Sequence, residues 1–547
     1  MGTLNMNSLV KHLPGYFLAL MITLSSYGQS ALTGYKLLNK TVTEYEKAEW
    51  DISISNVFAN PYDQKEVTLD LVMTAPSGNP VTLPCYFDSA GNWKARFAPQ
   101  EQGKYTYHFH MVVKGKSEQS QDGAFVSLPG KKQGFLHKNG LYTFKFDNGD
   151  LFRGIGENVG WEARANENPK YTYDLLLPPL AKNGANFFRT WMCPWNLPLD
   201  YQRVNNPKRY SNTTEYFNPS GIKRMEELLH LCDSLHLYMM LTLDMNSGKR
   251  PEWFYSQTSM DKYKNKLRYL VARWGYSTNI AAWEFFNEID NGVFNKSDSV
   301  LIPHIYVTNW HDEMSRYLKD IDPYKHLVTT SISHRDIAGM NSIAYLDFNQ
   351  KHIYKHTEKI PAIYGDYIQT YGKPYVVGEF GYRWEDANPK YAKEADYDYK
   401  RGLWFGMFSP TPILPMSWWW EFFHEQDMEP YFRSVRAISD EMLAAGNGSF
   451  EPLNIQAGML HAQAVKCGNK YFIYLLNESD ETMTTPVILS AGGNQYFSAK
   501  NLIPVSMQYG KPGSFAVKNN KLTFNQVSLA GKQEIVIIAT AKSKPLK

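Results

Sequence analysis

Between Leu151 and Ser417 the sequence repeats one pattern, in which a short apolar run is followed by a segment with helical periodicity. The helical patterns are clearest at Lys223–Leu235, Asp261–Trp274 and Thr308–Lys319. Such alternation predicts parallel strands that are connected by helices. The candidate strands are Phe152–Gly156, Ala185–Thr190, Leu237–Leu243, Ile280–Phe286, His326–Ser331, Leu346–Ile353, Tyr375–Phe380 and Ile413–Ser417.

Eight strand–helix units in about 290 residues fit a (β/α)8 TIM barrel. An open, doubly wound sheet is the alternative. The barrel is the better prediction because no GxGxxG or Walker-type phosphate loop opens any of the helices.

The segments on either side of this region have a different period. Between 31 and 126, aromatic and apolar residues alternate with polar ones, as in Tyr105, Tyr107, Phe109 and Met111, and turn signals separate the runs. The chain returns to β patterns from about residue 450. We therefore predict a barrel at 140–445 that is flanked by β-sandwiches at 31–128 and 450–547. Whether the first sandwich binds carbohydrate or braces the barrel stays open.

The N-terminus has the pattern of a secretory signal peptide. Lys11 and His12 precede an apolar run from Tyr16 to Leu24, and small residues follow before Gln29. Residues 1–28 are therefore expected to be removed, which predicts a secreted or periplasmic protein. No later segment approaches about 20 continuous apolar residues, so we expect no membrane insertion after signal removal.

Composition excludes several function classes. The net charge is only +3 over 547 residues and no basic run stands out, so nucleic acid is not an expected partner. The four cysteines are scattered, which favours unpaired buried thiols. Neither CxxC nor HExxH occurs, so neither a metal nor another cofactor is predicted. The oligomeric state stays open.

Two of the candidate strands end in carboxylates. The stretch Ala281–Glu288 is an apolar strand that ends in Asn287 and Glu288. The stretch Tyr375–Gly381 is likewise apolar and has Glu379 near its end. In a barrel, catalytic groups come from the carboxyl ends of strands, and two carboxylates are the minimum equipment for cleaving a glycosidic bond. Glu284 lies four residues before Glu288, so the two side chains would point to the same face of the strand. Because Glu284 lies deeper in the strand, we interpret it as a structural charge.

These strand ends resemble those of the retaining glycoside hydrolases of the largest (β/α)8 clan. Trp283–Glu288 and Gly378–Gly381 are especially similar to the family-5-like cellulase and mannanase group. Tyr45–Trp50 and Asn60–Tyr62 resemble the all-β domain that precedes such barrels in bacterial glycoside hydrolases. The C-terminal sandwich is also similar to those enzymes, so the resemblance spans most of the mature chain.

The resemblance implies a role for each matching residue. Glu288 would be the general acid/base and Glu379 the nucleophile that forms a glycosyl–enzyme intermediate. Asn287 would hydrogen-bond the sugar 2-hydroxyl, and Arg189 would contact the nucleophile and keep it ionised.

Three further residues match positions near the sugar in that clan. His352 and Tyr354 end the sixth candidate strand, and Trp418 begins the Trp418–Trp420 run after the eighth. His352 and Tyr354 would lie near the nucleophile and the sugar, and Trp418 is the nominated platform under the bound sugar. The expected partner is therefore a carbohydrate substrate.

The sequence leaves other functions open. An inverting glycosidase would need a wider separation of the two carboxyl groups. A non-catalytic carbohydrate-binding protein on a degenerate barrel, or a scaffold whose sandwiches bind partners, would need neither carboxylate. The sugar, its linkage and endo or exo action are not given by the residues.

Overall fold

The computed structural model of the chain describes residues 31–88, 91–245, 249–491 and 496–542. The expected signal peptide 1–28 lies outside the described residues. The strands fall into a mainly antiparallel region at each end of the chain and a parallel region between them. In the described part of the chain, no helix has the length and apolar character needed to cross a membrane.

The first strands form two facing sheets, which we call the N-terminal β-region. The sheet orders are β1-β3-β7-β6 and β2-β10-β8-β4-β5, with β9 paired to β8. Trp50 on one sheet meets Tyr107 and Phe125 on the other, with ring centroids 5.4 and 5.7 Å apart, respectively. The predicted alternation along β8 is confirmed, because Tyr105 and Phe109 are buried on the same face. The strands are β1 (Leu32–Leu37), β2 (Val42–Thr43), β3 (Ala48–Ile54), β4 (Val67–Thr74), β5 (Pro80–Pro84), β6 (Tyr86–Phe87), β7 (Trp93–Phe97), β8 (Gly103–Val113), β9 (Lys116–Gln119) and β10 (Gly123–Leu128).

Three short antiparallel strands follow: β11 (Leu136–Asn139), β12 (Thr143–Phe146) and β13 (Leu151–Phe152). Their Phe144, Phe146 and Phe152 share one apolar cluster with residues near the amino ends of the next strands, including Phe187 and Leu327. This small sheet therefore covers the amino ends of those strands. Between the N-terminal β-region and the parallel strands, the polar segment Pro129–Asn139 ends in strand β11.

The parallel strands follow one another in chain order, β14-β15-β16-β17-β18 and then β19-β20-β21. The first of them is three residues long and begins at Gly156. The prediction of Phe152–Gly156 was wrong because Phe152 instead pairs with β12. The strands are β14 (Gly156–Asn158), β15 (Phe187–Trp191), β16 (Tyr238–Met245), β17 (Ile280–Asn287), β18 (Leu327–Thr329), β19 (Ser331–Ile332), β20 (Asn349–Tyr354) and β21 (Tyr375–Gly381).

Helices connect these strands. The three clearest predicted helices are confirmed, and each begins four residues earlier than its apolar pattern, at Pro219, Gln257 and His304. Two of these starts are fixed by a cap, since the Asn218 side chain accepts the Ser220 N–H and the Ser256 side chain accepts the Ser259 N–H. The helices are α1 (Tyr173–Lys182), α2 (Pro219–Leu235), α3 (Pro251–Tyr255), α4 (Gln257–Trp274), α5 (Asp290–Val293), α6 (His304–Ile321), α7 (Ile360–Tyr371), α8 (Ala392–Met407), α9 (Trp420–Glu425) and α10 (Phe432–Gly446).

The segment 412–418 lies between β21 and β14. Met416 N donates to Val377 O at 3.1 Å on one side, and Asn158 N donates to Ser417 O at 3.0 Å on the other. The predicted strand Ile413–Ser417 was wrong as a continuous strand, since only Ile413 and Ser417 form β-bridges. Pro412 and Pro415 explain this, because proline has no N–H to donate to a ladder. We call β14–β21 together with segment 412–418 the strand ring.

The last strands form the C-terminal β-region, with sheet orders β22-β24-β25-β31-β27-β28 and β23-β26-β30-β29. It packs on α8, where the Trp404 ring stacks on Tyr474 with centroids 5.6 Å apart. The four cysteines are free and buried, as predicted. The strands are β22 (Phe450–Leu453), β23 (Ile455–Gln456), β24 (His461–Cys467), β25 (Lys470–Leu476), β26 (Met483–Ser490), β27 (Tyr496–Ile503), β28 (Gln508–Gly510), β29 (Phe515–Lys518), β30 (Lys521–Leu529) and β31 (Glu534–Lys542).

The N-terminal β-region docks on α2 and α4 through one shared carboxylate. Glu226 accepts from Arg96 on β7 and from Arg273 on α4, both at 2.8 Å, and from the Trp274 indole at 3.1 Å. Both arginines are buried. The two cations lower the pKa of Glu226 against the effect of its burial, so this carboxylate is ionised in the folded protein.

Replacing this carboxylate is expected to loosen the docking of the N-terminal β-region. Glu226→Ala leaves two buried guanidinium groups short of a partner, which should lower the free energy of unfolding by about 2 kcal/mol or more. Urea unfolding followed by tryptophan fluorescence measures this change. Glu227→Ala is the matched control, since Glu227 pairs with Arg224 on the other side of α2. Equal effects of the two substitutions would contradict the docking role.

Candidate active site

The Arg189 guanidinium is the centre of a buried charge network. Arg189 lies on β15, a strand whose residues are all buried, and the arginine itself has 0% exposure. Its Nε and one terminal nitrogen donate to both oxygens of Glu284, at 2.6 and 2.8 Å. The other terminal nitrogen donates to Glu379 Oε1 at 2.8 Å and to Asn158 Oδ1 at 3.2 Å. One cation thus holds carboxylates from two different strands of the strand ring.

Both carboxylate oxygens of Glu284 accept hydrogen bonds within this network. Besides Arg189, it accepts from Thr242 Oγ1 at 2.6 Å and from Gln350 Nε2 at 2.6 Å. Its side chain has no exposed surface. A carboxylate so buried and so fully bonded cannot approach a substrate, which fits the structural role expected for Glu284.

Glu379 lies near the end of β21 and is almost completely buried. Its Oε1 accepts from Arg189, and its Oε2 accepts from the Tyr354 hydroxyl at 2.7 Å. Burial would raise its pKa, but the neighbouring His352, Arg189 and Tyr354 outweigh this and lower the pKa to about 2. Glu379 is therefore an anion at neutral pH, and Tyr354, whose pKa is raised by burial and by that anion, stays a phenol donor.

Glu288 follows the last residue of β17 and has a positive φ of 46°. Its N–H donates to Ser331 Oγ at 3.0 Å, which helps to hold this unfavourable backbone conformation. Its Oε2 accepts from Asn291 Nδ2 at 2.8 Å. The Glu288 side chain is 19% exposed whereas that of Glu379 is 5% exposed, so Glu288 is the carboxylate that solvent reaches more easily.

His352 lies between the two carboxylates. Its Nδ1 is 2.9 Å from Glu288 Oε1 and 3.3 Å from Glu379 Oε2. Burial disfavours a charged imidazole, but Glu379 and Glu288 together raise the pKa of His352 to about 9. Its Nε2 is buried and meets no hydrogen-bond partner among the described residues, so the polar contacts of this ring run through Nδ1.

One oxygen of Glu288, one oxygen of Glu379 and a nitrogen of His352 all lie within 4.8 Å of one another. Among the described residues, this is the group whose donor set could hold a metal ion. The Arg189 guanidinium already neutralises Glu379 at 2.8 Å, and a protonated His352 would repel a cation. The electrostatics of the site therefore favour a carboxylate pair over a metal centre.

Asn287 lies beside the carboxylates. Its Oδ1 accepts from Arg189 at 2.7 Å, which fixes the orientation of the side-chain amide. The amide N–H groups are then directed away from the guanidinium and can donate elsewhere.

Trp418 lies in a cluster of indole rings. Its ring centroid is 5.4 Å from both Trp191 and Trp161 and 4.9 Å from Trp420. The Trp191 ring in turn lies 5.4 Å from the Arg189 guanidinium. The cluster therefore borders the charge network through Trp191, and Trp161 is one of its partly buried members.

Part of the network was not predicted from the sequence. Thr242, Gln350 and Asn158 were not among the candidate site residues. Gln350 is two residues before His352 and four before Tyr354, so strand parity could have placed all three on one face. Thr242 has no comparable signal, because its contact with Glu284 depends on the pairing of β16 with β17.

Comparisons with known proteins add sequence and fold relatives. A family model described as a domain of unknown function (DUF5060) matches residues 41–111. The chain is 21% identical over 259 residues to mannan endo-1,4-beta-mannosidase A of Podospora anserina, covering 39% of this chain and 66% of that enzyme. It is 24% identical over 223 residues to the probable mannan endo-1,4-beta-mannosidase F of Neosartorya fischeri, covering 37% and 46%, respectively.

The chain thus spans less than two thirds of the length of each of these curated relatives. Its fold matches the crystal structure of a "putative glycoside hydrolase" from Bacteroides vulgatus with a TM-score of 0.67. That match covers 92% of this chain and 100% of the other at 15% identity. The three regions described above therefore form a multidomain fold that also occurs in that protein from Bacteroides vulgatus.

Removing the central cation is expected to destabilise the whole protein. Arg189→Met leaves Glu284 buried and uncompensated, so the free energy of unfolding should fall by about 3–5 kcal/mol. The double variant Arg189→Met/Glu284→Gln should recover a large part of that loss, because it removes the stranded charge. Urea unfolding of both variants makes the comparison, and a single variant as stable as the wild type would contradict the network.

The His352 interactions are expected to make stability depend on pH. The folded-state pKa of His352, about 9, lies above the ordinary imidazole value. The contribution of His352 to the free energy of unfolding should therefore be complete below about pH 6.5. It should be lost as pH rises through 9, by an amount on the order of 3 kcal/mol. Urea unfolding of the wild type and His352→Gln at pH 6 and pH 9.5 measures this. Parallel pH dependence of the two proteins would contradict the prediction.

Proposed function

We propose that this protein is a retaining glycoside hydrolase that cleaves β-linked polysaccharide or oligosaccharide by double displacement. Glu288 would be its acid/base and Glu379 its nucleophile. The observation that carries the proposal is the close approach of their carboxyl oxygens, within 4.8 Å. Retaining enzymes hold their carboxyl groups about 5–5.5 Å apart, whereas inverting enzymes need about 6.5–9.5 Å to admit a water molecule.

The environments of the two carboxylates support this division of roles. Glu379 is buried and has a pKa lowered to about 2, as a nucleophile that must be ionised requires. Glu288 is more exposed than Glu379, with 19% of its side chain exposed against 5%, and its Oε1 lies 2.9 Å from His352 Nδ1. A group that has to give and take a proton at each step is better served by that environment.

In the first step, Glu379 would attack the anomeric carbon while Glu288 gives its proton to the departing glycosidic oxygen. The bond to the leaving group breaks as the bond to Glu379 Oε forms, with inversion at that carbon. In the second step, Glu288 would take a proton from water, whose oxygen attacks the same carbon and releases Glu379. The two inversions together retain the anomeric configuration.

The remaining residues would bind the sugar and position the nucleophile. Asn287, oriented by Arg189, can donate an amide N–H to the 2-hydroxyl of the sugar. Tyr354 and His352 would hold the free oxygen of Glu379 until it attacks. Trp418 remains the proposed aromatic platform, and its contact with Trp161 and Trp191 extends this aromatic surface.

We also propose the architecture that such an enzyme would have. The strand ring with its helices would be a (β/α)8 barrel of the family-5-like group at 140–445, and the flanking β-regions would be sandwiches at 31–128 and 450–547. The hydrogen bonds of segment 412–418 to β21 and to β14 support a closed barrel. A signal peptide at 1–28 would make the protein secreted or periplasmic. Because curated relatives are named mannan endo-1,4-beta-mannosidases, β-1,4-mannan is the first substrate to test.

The two roles predict different azide products. Glu379→Ala should abolish turnover, and azide should rescue it with an α-glycosyl azide, because only one inversion then occurs. Glu288→Ala should lose about 10²–10⁴-fold in rate on substrates with poor leaving groups. With an activated aryl β-glycoside, azide should give a β-glycosyl azide. Product anomers are assigned by NMR after screening aryl β-glycosides and β-linked polysaccharides.

The control for these variants is Glu385→Ala, since Glu385 is an exposed acid six residues after Glu379 whose partner is Lys355. This variant should keep wild-type activity. If the wild type cleaves a substrate and both site variants match it, the proposed site is wrong. If no substrate is cleaved but one sugar binds, a non-catalytic carbohydrate-binding protein replaces the hydrolase, and a product of inverted configuration would indicate the inverting mechanism.

A further inference from the structure

A cavity of about 670 Å³ lies between α8 and the C-terminal β-region. Residues of α8 and Tyr382 line one side, and Leu476, Ile503 and Glu534 line the other. Sites for small molecules occupy about 300–1,000 Å³, and they occur preferentially at domain interfaces. We call this space the α8 cavity; it does not include the residues of the candidate active site.

The α8 cavity lies at the same end of the strand ring as the reactive carboxylates. Tyr382 follows Glu379 by three residues, a distance of at most about 11 Å along the backbone. The part of α8 that lines the cavity runs from Lys393 to Arg401, which is the half nearer the carboxyl end of β21. A polymer held at Glu379 could therefore continue into the α8 cavity.

One carboxylate oxygen in the cavity wall, Oδ2 of Asp398, has no hydrogen-bond partner among the described residues. Asp398 is 2% exposed, and its Oδ1 accepts from Thr357 Oγ1 at 2.5 Å and from Arg401 at 3.0 Å. Its Oδ2 is buried and has no hydrogen-bond partner among the described residues. Leaving such an acceptor unsatisfied costs about 1–3 kcal/mol. A ligand hydroxyl would gain that energy by drawing the Asp398 side chain toward the cavity and donating to this oxygen.

The lining favours an uncharged ligand with many hydroxyl groups. The charged side chains are nearly balanced, with four cations against five acids, so a strongly charged ligand would meet as much repulsion as attraction. Side chains of both signs supply donors and acceptors for hydroxyl groups. Two tyrosine rings, Tyr382 and Tyr397, add aromatic surface. The charged residues are Lys393, Lys400, Arg401 and Lys532, and Glu394, Asp396, Asp398, Asp480 and Glu534.

A bound cation is a poorer explanation for the cavity. Among the described residues, the acids of the α8 cavity do not come together as a metal-ligand set. Both oxygens of Glu534 already accept tyrosine hydroxyls, from Tyr431 and Tyr474. Lys400 and Arg401, which pair with Asp396 and Asp398, would repel a further positive charge.

We propose that the α8 cavity is an ancillary binding site for an uncharged segment of the polysaccharide substrate. The C-terminal β-region would then be part of the binding surface as well as a support for α8. This inference rests on the proposed function, because the ligand is the substrate of the carboxylate pair.

Hydrogen exchange of peptides from 392–407 tests binding without requiring hydrolysis. The Glu379→Gln protein is mixed with hexasaccharides of β-1,4-mannan, β-1,4-glucan, β-1,3-glucan, β-1,4-xylan and β-1,4-galactan. At least one should slow exchange in this segment, and Asp398→Asn or Tyr382→Ala added to Glu379→Gln should remove that protection. The inference is overturned if none of these sugars protects the segment, or if protection survives both substitutions.

Kinetics of the otherwise wild-type enzyme separates this site from the active site. Asp398→Asn and Tyr382→Ala should each raise KM for the polysaccharide about tenfold, with kcat and hydrolysis of a short aryl glycoside unchanged. Tyr345→Ala, at an exposed tyrosine that contacts Arg316 instead, is the control and should change neither. Loss of activity on both substrates would show that these residues support the fold, which overturns the inference. If no substrate is hydrolysed, the proposed function fails. The exchange experiment still tests whether the α8 cavity binds a sugar.

Discussion

The buried guanidinium of Arg189 is the interaction on which the rest of the site depends. A guanidinium cannot lose its charge inside a protein, so a fully buried arginine requires carboxylates that are ionised and correctly aimed. Glu284 and Glu379 meet this requirement from β17 and β21. The same contacts that stabilise the fold therefore set the position and the ionisation of the candidate nucleophile.

Three acids around this cation differ in how much of their bonding capacity the protein uses. Glu284 is bonded at both oxygens to Arg189 and also to Thr242 and Gln350, so it is structural. Glu379 shares Arg189 with Glu284 and receives Tyr354. Glu288 is bonded to His352 and to Asn291, and its side chain is the most exposed of the three. The three acids thus range from fully buried and fully bonded to partly exposed.

The sequence was informative where a pattern is local. The pattern of an apolar strand that ends in a carboxylate identified Glu288 and Glu379 as candidates. Glu284 lies four residues before Glu288, which marked it as the deeper acid. Pairings between strands are not local, and both β16–β17 and β20–β21 contain a register shift that no single-strand pattern reveals. The partners of Glu284 and the α8 cavity depend on such pairings and on the packing of distant regions, so the sequence did not predict them.

The prolines of segment 412–418 have a consequence for the order in which the protein folds. The Asn158 side chain donates to Gly378 O at 2.9 Å and to Ser417 O at 3.0 Å, which adds side-chain hydrogen bonds beside a segment that lacks two backbone donors. Residues 158 and 417 are 259 positions apart, so this contact closes a very long loop and forms only after most of the chain has been made. Because Asn158 also accepts from Arg189, the charge network is completed at that late step. A folding intermediate with an open seam would have most of its strands but an incomplete charge network, so the network is assembled only when segment 412–418 joins β14.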